Sequence, residues 1–523
     1  MAFQDDINRI LRDHEGYTGD GRGSEGPLPV GDRSTARRPI NKRDLRDAFG
    51  LFAQSADAVS EVAAGITAAD TIEVTVGTGG QYASVTAALA ALSTKVARRY
   101  RKEGVRGRVR LLTGFVMAEQ IIIRDGLDLS WVEIVSDAAE VTVNRDAITT
   151  IVRESRRPVF SAVDRGVLPV IRCKFRLGTG TLSSVDGVAA FHGGRGLLGE
   201  TSGFIGFSRN IGVYCGSEIN LYIQDLTIET IPSTRPDFSG ALDTAAYVSF
   251  NSRLGMPYGK FDGAGNHGVL VIWGSHADLY RATALNVGGC GLYARDGATA
   301  NAREMDVSGA GQHGFYALHG SRINARCQSQ GSGYGGANNC ALNGVFAQQE
   351  SSIEADAMMA QGCGGSGIRA EYGSVVNARI GIFDACNVGV SARAGSTISA
   401  QGARANGVLD VAVFAEGASR IDAASGTFLN AGQVGITARR ASTVNAQGVT
   451  ATGAGLRGAQ ATQSSTINAG GGNFRKNPAS DTTGTNGDLV VFDGGQISAT
   501  GATGGLNVTP NTINADGIIW RPA

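Results

Sequence analysis

Apolar positions along this chain recur with a period far longer than a helix turn. Gly320-Ser321-Arg322-Ile323-Asn324-Ala325 shows the unit: a small turn residue, Ser or Thr, an apolar β-branched residue, a polar residue, then Ala. The pattern returns at Ile353, Val376, Ile398, Ile421, Val444, Ile467 and Ile497, with successive spacings of 30, 23, 22, 23, 23, 23 and 30. A phase-locked column of Gly-apolar-x-Ala runs beside it through Ala294, Ala317, Ala347, Ala370, Ala392, Ala415, Ala438 and Ala461. Alternation of β-branched and polar residues, with no 3.6-residue stripe, excludes a helical repeat. Each 23-residue unit is instead one coil of a solenoid whose short strands stack on the next coil. The two spacings of 30 read as a coil plus a seven-residue loop, near Gln328–Asn339 and Asn473–Asn486.

Strand alternation assigns the faces. Ile323 and Ala325 point inward and Asn324 outward, so small apolar residues line the inside. The outside column reads Asp278, Asn301, Asn324, Glu354, Asn377, Ser399, Asp422, Asn445, Asn468 and Ser498. The fold class predicted is all-β, a narrow single-stranded parallel β-helix with regular coils over residues 268–510.

The rest of the chain departs from this period. Residues 1–70 hold a short amphipathic helix (Phe3, Ile7, Ile10, Leu11), a Gly/Pro-rich run and a second stripe at Leu45, Ala48, Phe49 and Phe52; they read as a docking arm that orders on a partner, with a disordered linker as the alternative. Ile72–Val76 reads as a strand, and a helix through Val85, Leu89 and Leu92, capped by Ser84, is predicted to cover the open end of the stack within residues 71–140. Residues 141–267 are irregular coils. Ile219 and Ala277 stand 58 residues apart, one coil plus 35, which predicts a long loop at 232–267 carrying Phe238, Tyr247, Phe250, Tyr258 and Phe261.

Composition sharpens this picture modestly. The 76 glycines are about twice the usual share of ~7 % and fall at turns. Net charge is zero, which argues against a general nucleic-acid binder, and no apolar run is long enough to predict membrane insertion. Eight basic residues against Glu103 between Lys95 and Arg110 form the one strong local charge. Seven cysteines include Cys340, Cys363 and Cys386 at the coil period, read as a buried column of small hydrophobes. No metal site and no cofactor is predicted.

Val76-Gly77-Thr78-Gly79-Gly80-Gln81-Tyr82-Ala83-Ser84-Val85, Ala87-Ala88-Leu89 and Val109-Arg110-Leu111-Leu112-Thr113-Gly114-Phe115 resemble the leading segment of pectin-lyase-like right-handed β-helices, which include carbohydrate esterases, lyases and bacteriophage tailspikes. The arm, with Pro39, Lys42, Asp44, Leu45, Arg46 and Phe49, is similar to particle-binding ends of phage tail and spike proteins. The resemblance implies a homotrimeric tailspike or head spike of a phage or phage-like gene transfer particle, attached to a capsid or tail protein through residues 1–56. It implies adsorption to capsule or lipopolysaccharide. Met1–Asp6 lacks the basic start and apolar run of a signal peptide, and free thiols fit synthesis in the bacterial cytoplasm. A second spike protein is one candidate to cover the end at 511–523. Three functions stay open: a non-catalytic receptor-binding spike, a depolymerase (hydrolase or lyase) on the same scaffold, and a structural spacer carrying another receptor-binding protein.

Glycan hydrolysis requires two carboxyl groups across a sugar. Glu354 with Asp356, and Glu371 with Asp384, are the candidates, with Glu304 and Asp306 behind them. Arg326 and Arg379 stack on either side of Asp356, which predicts a structural ion-pair column. For binding, Tyr293, Tyr316 and Phe346 form an outward aromatic row, with His319 and Trp273 on the same edge and Tyr247 and Tyr258 on the predicted loop. The row fits a sugar platform or a subunit seam. His267, His276, His313 and His319 read as surface or turn residues.

Overall fold

The computed structural model describes residues 71–96, 101, 104–153, 155–222, 234–328, 335–477, 488–503 and 517–520; the arm expected in residues 1–70 lies outside them. The chain forms two compact units.

In the first unit, strands Ile72–Val76, Gly107–Leu111 and Val132–Ser136 pair in parallel, with Val74 opposite Val109 and Val109 opposite Ile134. The helix Val85–Lys95 begins where Ser84 Oγ accepts the Ala87 N–H at 3.2 Å, and it buries Val85, Ala88, Leu89 and Leu92. It packs against the first two of these strands. A Cβ on Gly107 would stand 3.1 Å from both Leu92 and Trp131, so the helix depends on glycine there. The basic run is largely paired where it is described: Arg108 Nε lies 2.6 Å from Glu133, Arg110 Nε lies 2.6 Å from Asp137, and the Arg101 guanidinium sits over Trp131.

The second unit is the parallel β-helix. A broad ladder of 15 strands runs from Ile121–Ile123 to Leu489–Val491, about 65–70 Å at the usual strand spacing. A narrow ladder carries the Ile-Asn-Ala line, with Ile323 opposite Ala300 on one side and Ile353 on the other. A third, shorter ladder starts at Val116–Met117 and continues as single bridges such as Lys260 to Thr283 to Asp306. Parallel strands joined by crossovers in this way wind right-handed. All eight anchors from Ile323 to Ile497 are buried, as are the eight alanines of the Gly-apolar-x-Ala column. The polar column between them faces out and bonds along itself: Asn301 donates to Asp278 at 3.0 Å, Asn377 to Glu354 at 2.8 Å and Asn445 to Asp422 at 2.9 Å. The early coils fill the interior with aromatics instead of alanine, Phe160, Phe175 and Phe204 lying 5.0–5.9 Å apart.

The serine of the repeat has a fixed task. The N–H of Ser321 donates to Ser351 Oγ, Ser351 to Ser374, Ser374 to Ser396, Ser396 to Ser419, Ser419 to Ser442 and Ser442 to Ser465, each at 3.1–3.2 Å and fully buried. The corner before each serine is made by two consecutive left-handed residues, as in His319 (φ 52°) and Gly320 (φ 70°), which is why glycine recurs there.

One expectation fails. The described part of the expected long loop at 232–267, residues 234–267, forms a coil: Ala246–Ser249 joins the broad ladder, Arg253–Gly255 joins the narrow one, and Leu254 pairs with both Ile219 and Ala277. The 58-residue gap is 35 plus 23, so only 12 residues exceed a coil, and they fall between Tyr222 and Asp237. The coil is hidden in the sequence because Leu254 replaces the β-branched anchor, and Gly255 stands where the polar residue belongs. A Cβ on Gly255 would lie 2.4 Å from Asn220 Oδ1. The seven-residue surpluses of the two 30-residue spacings fall between Cys327 and Gly336 and between Lys476 and Leu489, around residues outside the described set.

Ser374→Ala leaves the buried Ser351 N–H without its acceptor and is expected to cost about 1–3 kcal/mol in denaturant unfolding. Ser399→Ala, on the outward column, is expected to stay within about 0.5 kcal/mol of the parent.

Candidate functional site

The outward row of the broad ladder is real, with Tyr293 paired to Tyr316 and Tyr316 to Phe346 in register. That register decides how the rings are used. Tyr293 and Tyr316 stack at 4.7 Å and 11°, Tyr316 and Phe346 at 5.0 Å and 3°, and the Arg369 guanidinium follows over Phe346 at 5.4 Å. Ring faces that a sugar would need are occupied by neighbouring coils. Phe346 retains 7 % exposure, and the Tyr316 hydroxyl donates to Gln348 at 2.7 Å. The row is an internal aromatic ladder whose rims alone reach solvent. Tyr247 lies two positions further along the same column and carries the Arg209 guanidinium at 4.1 Å. Tyr258 is 3 % exposed, on a different corner, edge-on to Tyr280; it belongs to the packing and not to a surface site.

Aromatic surface is available at the left-handed corner between broad and narrow ladders. Phe250, Trp273, Asp296 and His319 occupy that corner in successive coils. Phe250 and Trp273 lie 4.2 Å apart and are 43 % and 40 % exposed. His319 Nδ1 stands 2.8 Å from Asp296 Oδ1 beside them. The structure thus brings Trp273 and His319 onto one edge, as the sequence predicts, and adds Phe250. Phe250 was hidden because the coil that carries it reads as loop.

The other histidines divide. His313 is buried between Tyr316 and Phe346, and its Nδ1 accepts the Asn343 N–H at 3.3 Å. Burial, reinforced by the charge of Arg369, holds its pKa down at about 4, so it is neutral at physiological pH. His267 likewise accepts from Cys290, at 3.0 Å, and burial lowers its pKa. These two are ladder acceptors rather than surface residues. Cys340, Cys363 and Cys386 are buried, with the Cys363 N–H donating to Cys386 Sγ at 3.4 Å. No group of three or more His, Cys, Asp or Glu among the described residues is arranged to hold a metal, and no helix among them is long and apolar enough to cross a membrane.

Each candidate acid is committed to a partner. Asp356 accepts from Arg379 Nη2 at 2.7 Å, from the Arg379 backbone N–H at 3.0 Å and from Arg326 at 3.2 Å. Burial pushes the Asp356 carboxyl up, but the bonds and charges of Arg379 and Arg326 outweigh it and hold it below the ordinary aspartate range. Such a group cannot serve as the proton donor of a glycosidase, whose pKa must be raised. Glu354 accepts from Asn377. Glu371 takes Arg369 Nε at 2.9 Å, Asp384 takes Arg404 Nε at 2.9 Å, and Glu304 takes Arg281 Nε at 2.7 Å. Asp306 accepts the Ser308 N–H and hydroxyl.

Two grooves accompany these features. One, of about 690 Å³, runs beside Arg326, Asp356, Arg379, Gln401 and Ser425. The other, of about 560 Å³, continues the broad face past the aromatic ladder, where Arg393 and Arg439 sit over Phe414 at 5.0 and 4.6 Å. In the second, Glu416 pairs with both Arg439 and Arg440, so much of its charge is balanced.

Because the folded pKa of Asp356 is depressed, its contribution to stability is full above the unfolded pKa, near 4, and is lost as pH falls through the folded value. Asp356→Asn is therefore expected to lower the unfolding midpoint at pH 7, with the gap to the parent closing on titration toward pH ~2. A gap independent of pH refutes the ion-pair assignment. The chain matches no known protein-family model and no curated protein.

Proposed function

We propose that this chain is a non-catalytic carbohydrate-binding β-helix, one subunit of a trimeric spike by which a phage-like particle adsorbs to bacterial surface polysaccharide. The observation that carries the saccharide part is the exposed Phe250–Trp273 pair on a corner of the coil stack, with the His319–Asp296 pair next to it. Exposed aromatic rings at a fixed spacing meet the apolar faces of sugars, while the adjoining polar pair meets hydroxyls. Stacking surfaces of this kind are weak singly and gain by repetition around a trimer. The non-catalytic part rests on the candidate acids, each bonded to an arginine, amide or serine partner. Particle attachment and trimer formation rest on the resemblance of the leading segment and of the arm to spike proteins.

Incubation with capsule or lipopolysaccharide of a susceptible host is expected to give retention on the polysaccharide without new reducing or unsaturated ends. Chain shortening would establish the depolymerase instead. Trp273→Ala is expected to weaken retention about three- to tenfold per chain, with an unchanged unfolding midpoint. Removal of residues 1–56 is expected to abolish particle decoration and leave the trimer, read by light scattering.

A further inference from the structure

The corner between the narrow and third ladders carries a column that the saccharide reading leaves unassigned. Arg303, Arg326, Asp356, Arg379, Gln401 and Ala424 follow one another there coil by coil, each carbonyl accepting an N–H from the coil before. Over the first four coils this places three guanidinium groups against one carboxylate at steps of about 4.8 Å. Arg326 and Arg379 share Asp356 and remain half exposed, so each keeps N–H donors to spare. Arg303 has no carboxylate partner among the described residues, its guanidinium lying 5.9 Å over the Tyr280 ring. Like charges one coil apart repel. A column meant only to hold coils together would alternate sign, as Arg326, Asp356 and Arg379 do.

The groove of about 690 Å³ runs along this column, from Arg326 to Ser425, and so crosses five coils. Its wall holds an anomaly. Ile380 has φ +51°, and it is the sole β-branched residue with positive φ among the described residues. The equivalent position is left-handed in most neighbouring coils, at Arg281, Glu304, Ala357, Gly402, Ser425 and Gly448, none of them β-branched. A β-branched side chain in that conformation is strained, and Ile380 is also 49 % exposed. Its Cγ2 lies 3.2 Å from where a Cβ on Gly402 would stand, so it overhangs the next coil within the groove. The corner itself is a repeated feature of the coils, so what burial leaves unexplained is the exposed β-branched side chain placed on it.

We infer that this groove, together with Arg303 one coil before its end, binds an extended anionic polysaccharide, its acidic groups on Arg303, Arg326 and Arg379 and a sugar face against Ile380. The inference rests on the saccharide reading and specifies its substrate class. Polyanion binding by half-exposed arginines that keep donors to spare weakens with salt, whereas the Phe250–Trp273 corner is far less sensitive.

The test uses the full-length protein with three soluble probes of matched length: polygalacturonate, poly(glycerol phosphate) and neutral dextran, with a DNA oligonucleotide of equal charge as control. At least one anionic sugar-based polymer is expected to bind more tightly than dextran and than DNA, and to weaken between 50 and 300 mM salt; the first two probes distinguish carboxylate from phosphate as the recognised group. Arg303→Gln, which leaves Asp356 and its partners in place, is expected to weaken that binding about tenfold. Ile380→Gly is expected to weaken it too while leaving the unfolding midpoint unchanged or higher, an outcome that a purely structural isoleucine would not give. Unaltered binding in both variants overturns the inference. So does equal affinity for dextran, which leaves the saccharide reading standing, and so does preference for DNA. Failure of all three polymers and of host polysaccharide overturns both readings.

Discussion

The structure depends on parallel stacking in register, in which the nearest neighbour of almost every residue is its own equivalent one coil away. Each position must therefore tolerate a copy of itself at about 4.8 Å. Serine passes this test by donating from the backbone and accepting on the hydroxyl, asparagine by bonding along its column, and aromatic rings by stacking face to face. A charged residue fails it unless the next coil supplies the opposite sign. The Arg326, Asp356, Arg379 sequence is the regular solution, and Arg303 beside Arg326 departs from it.

The same rule explains what was legible in the sequence. A column that repeats every 23 residues is readable wherever its residue is self-compatible and distinctive, so the Ile323 and Ala317 lines and their sidedness follow from the sequence alone. The coil through Leu254 was not legible. Its anchor is a leucine, its polar position is Gly255, and its interior is packed by Phe238 and Phe261 instead of alanine. Spacing alone then merged a coil and a 12-residue surplus into one apparent loop.

For the site, sequence alone placed the right residues on the outward face but not the availability of their surfaces. Tyr293, Tyr316 and Phe346 lie in one column as expected, and that is why their ring faces are occupied. Trp273 and Phe250 escape because they stand at a left-handed corner, where side chains leave the plane of the sheet. The flanking of Asp356 by two arginines was readable from the period, and the ion pairs follow from it. The groove beside them was not, since it depends on small residues such as Gly402 and Ala424 giving way on later coils.

The buried serine chain also gives the stack a sense of direction. From Ser321 to Ser465 every backbone N–H in it donates toward the C-terminal side and every hydroxyl accepts from the N-terminal side, so each coil between them presents the same half-bond upward and the complementary half-bond downward. Coils are therefore interchangeable parts. An in-frame duplication or loss of one 23-residue coil rejoins donor to acceptor without a new interface, and it lengthens or shortens the molecule by one strand spacing. The reach of the protein is set by counting coils, and its surface columns can diverge one coil at a time while the thread of hydroxyls beneath them stays the same.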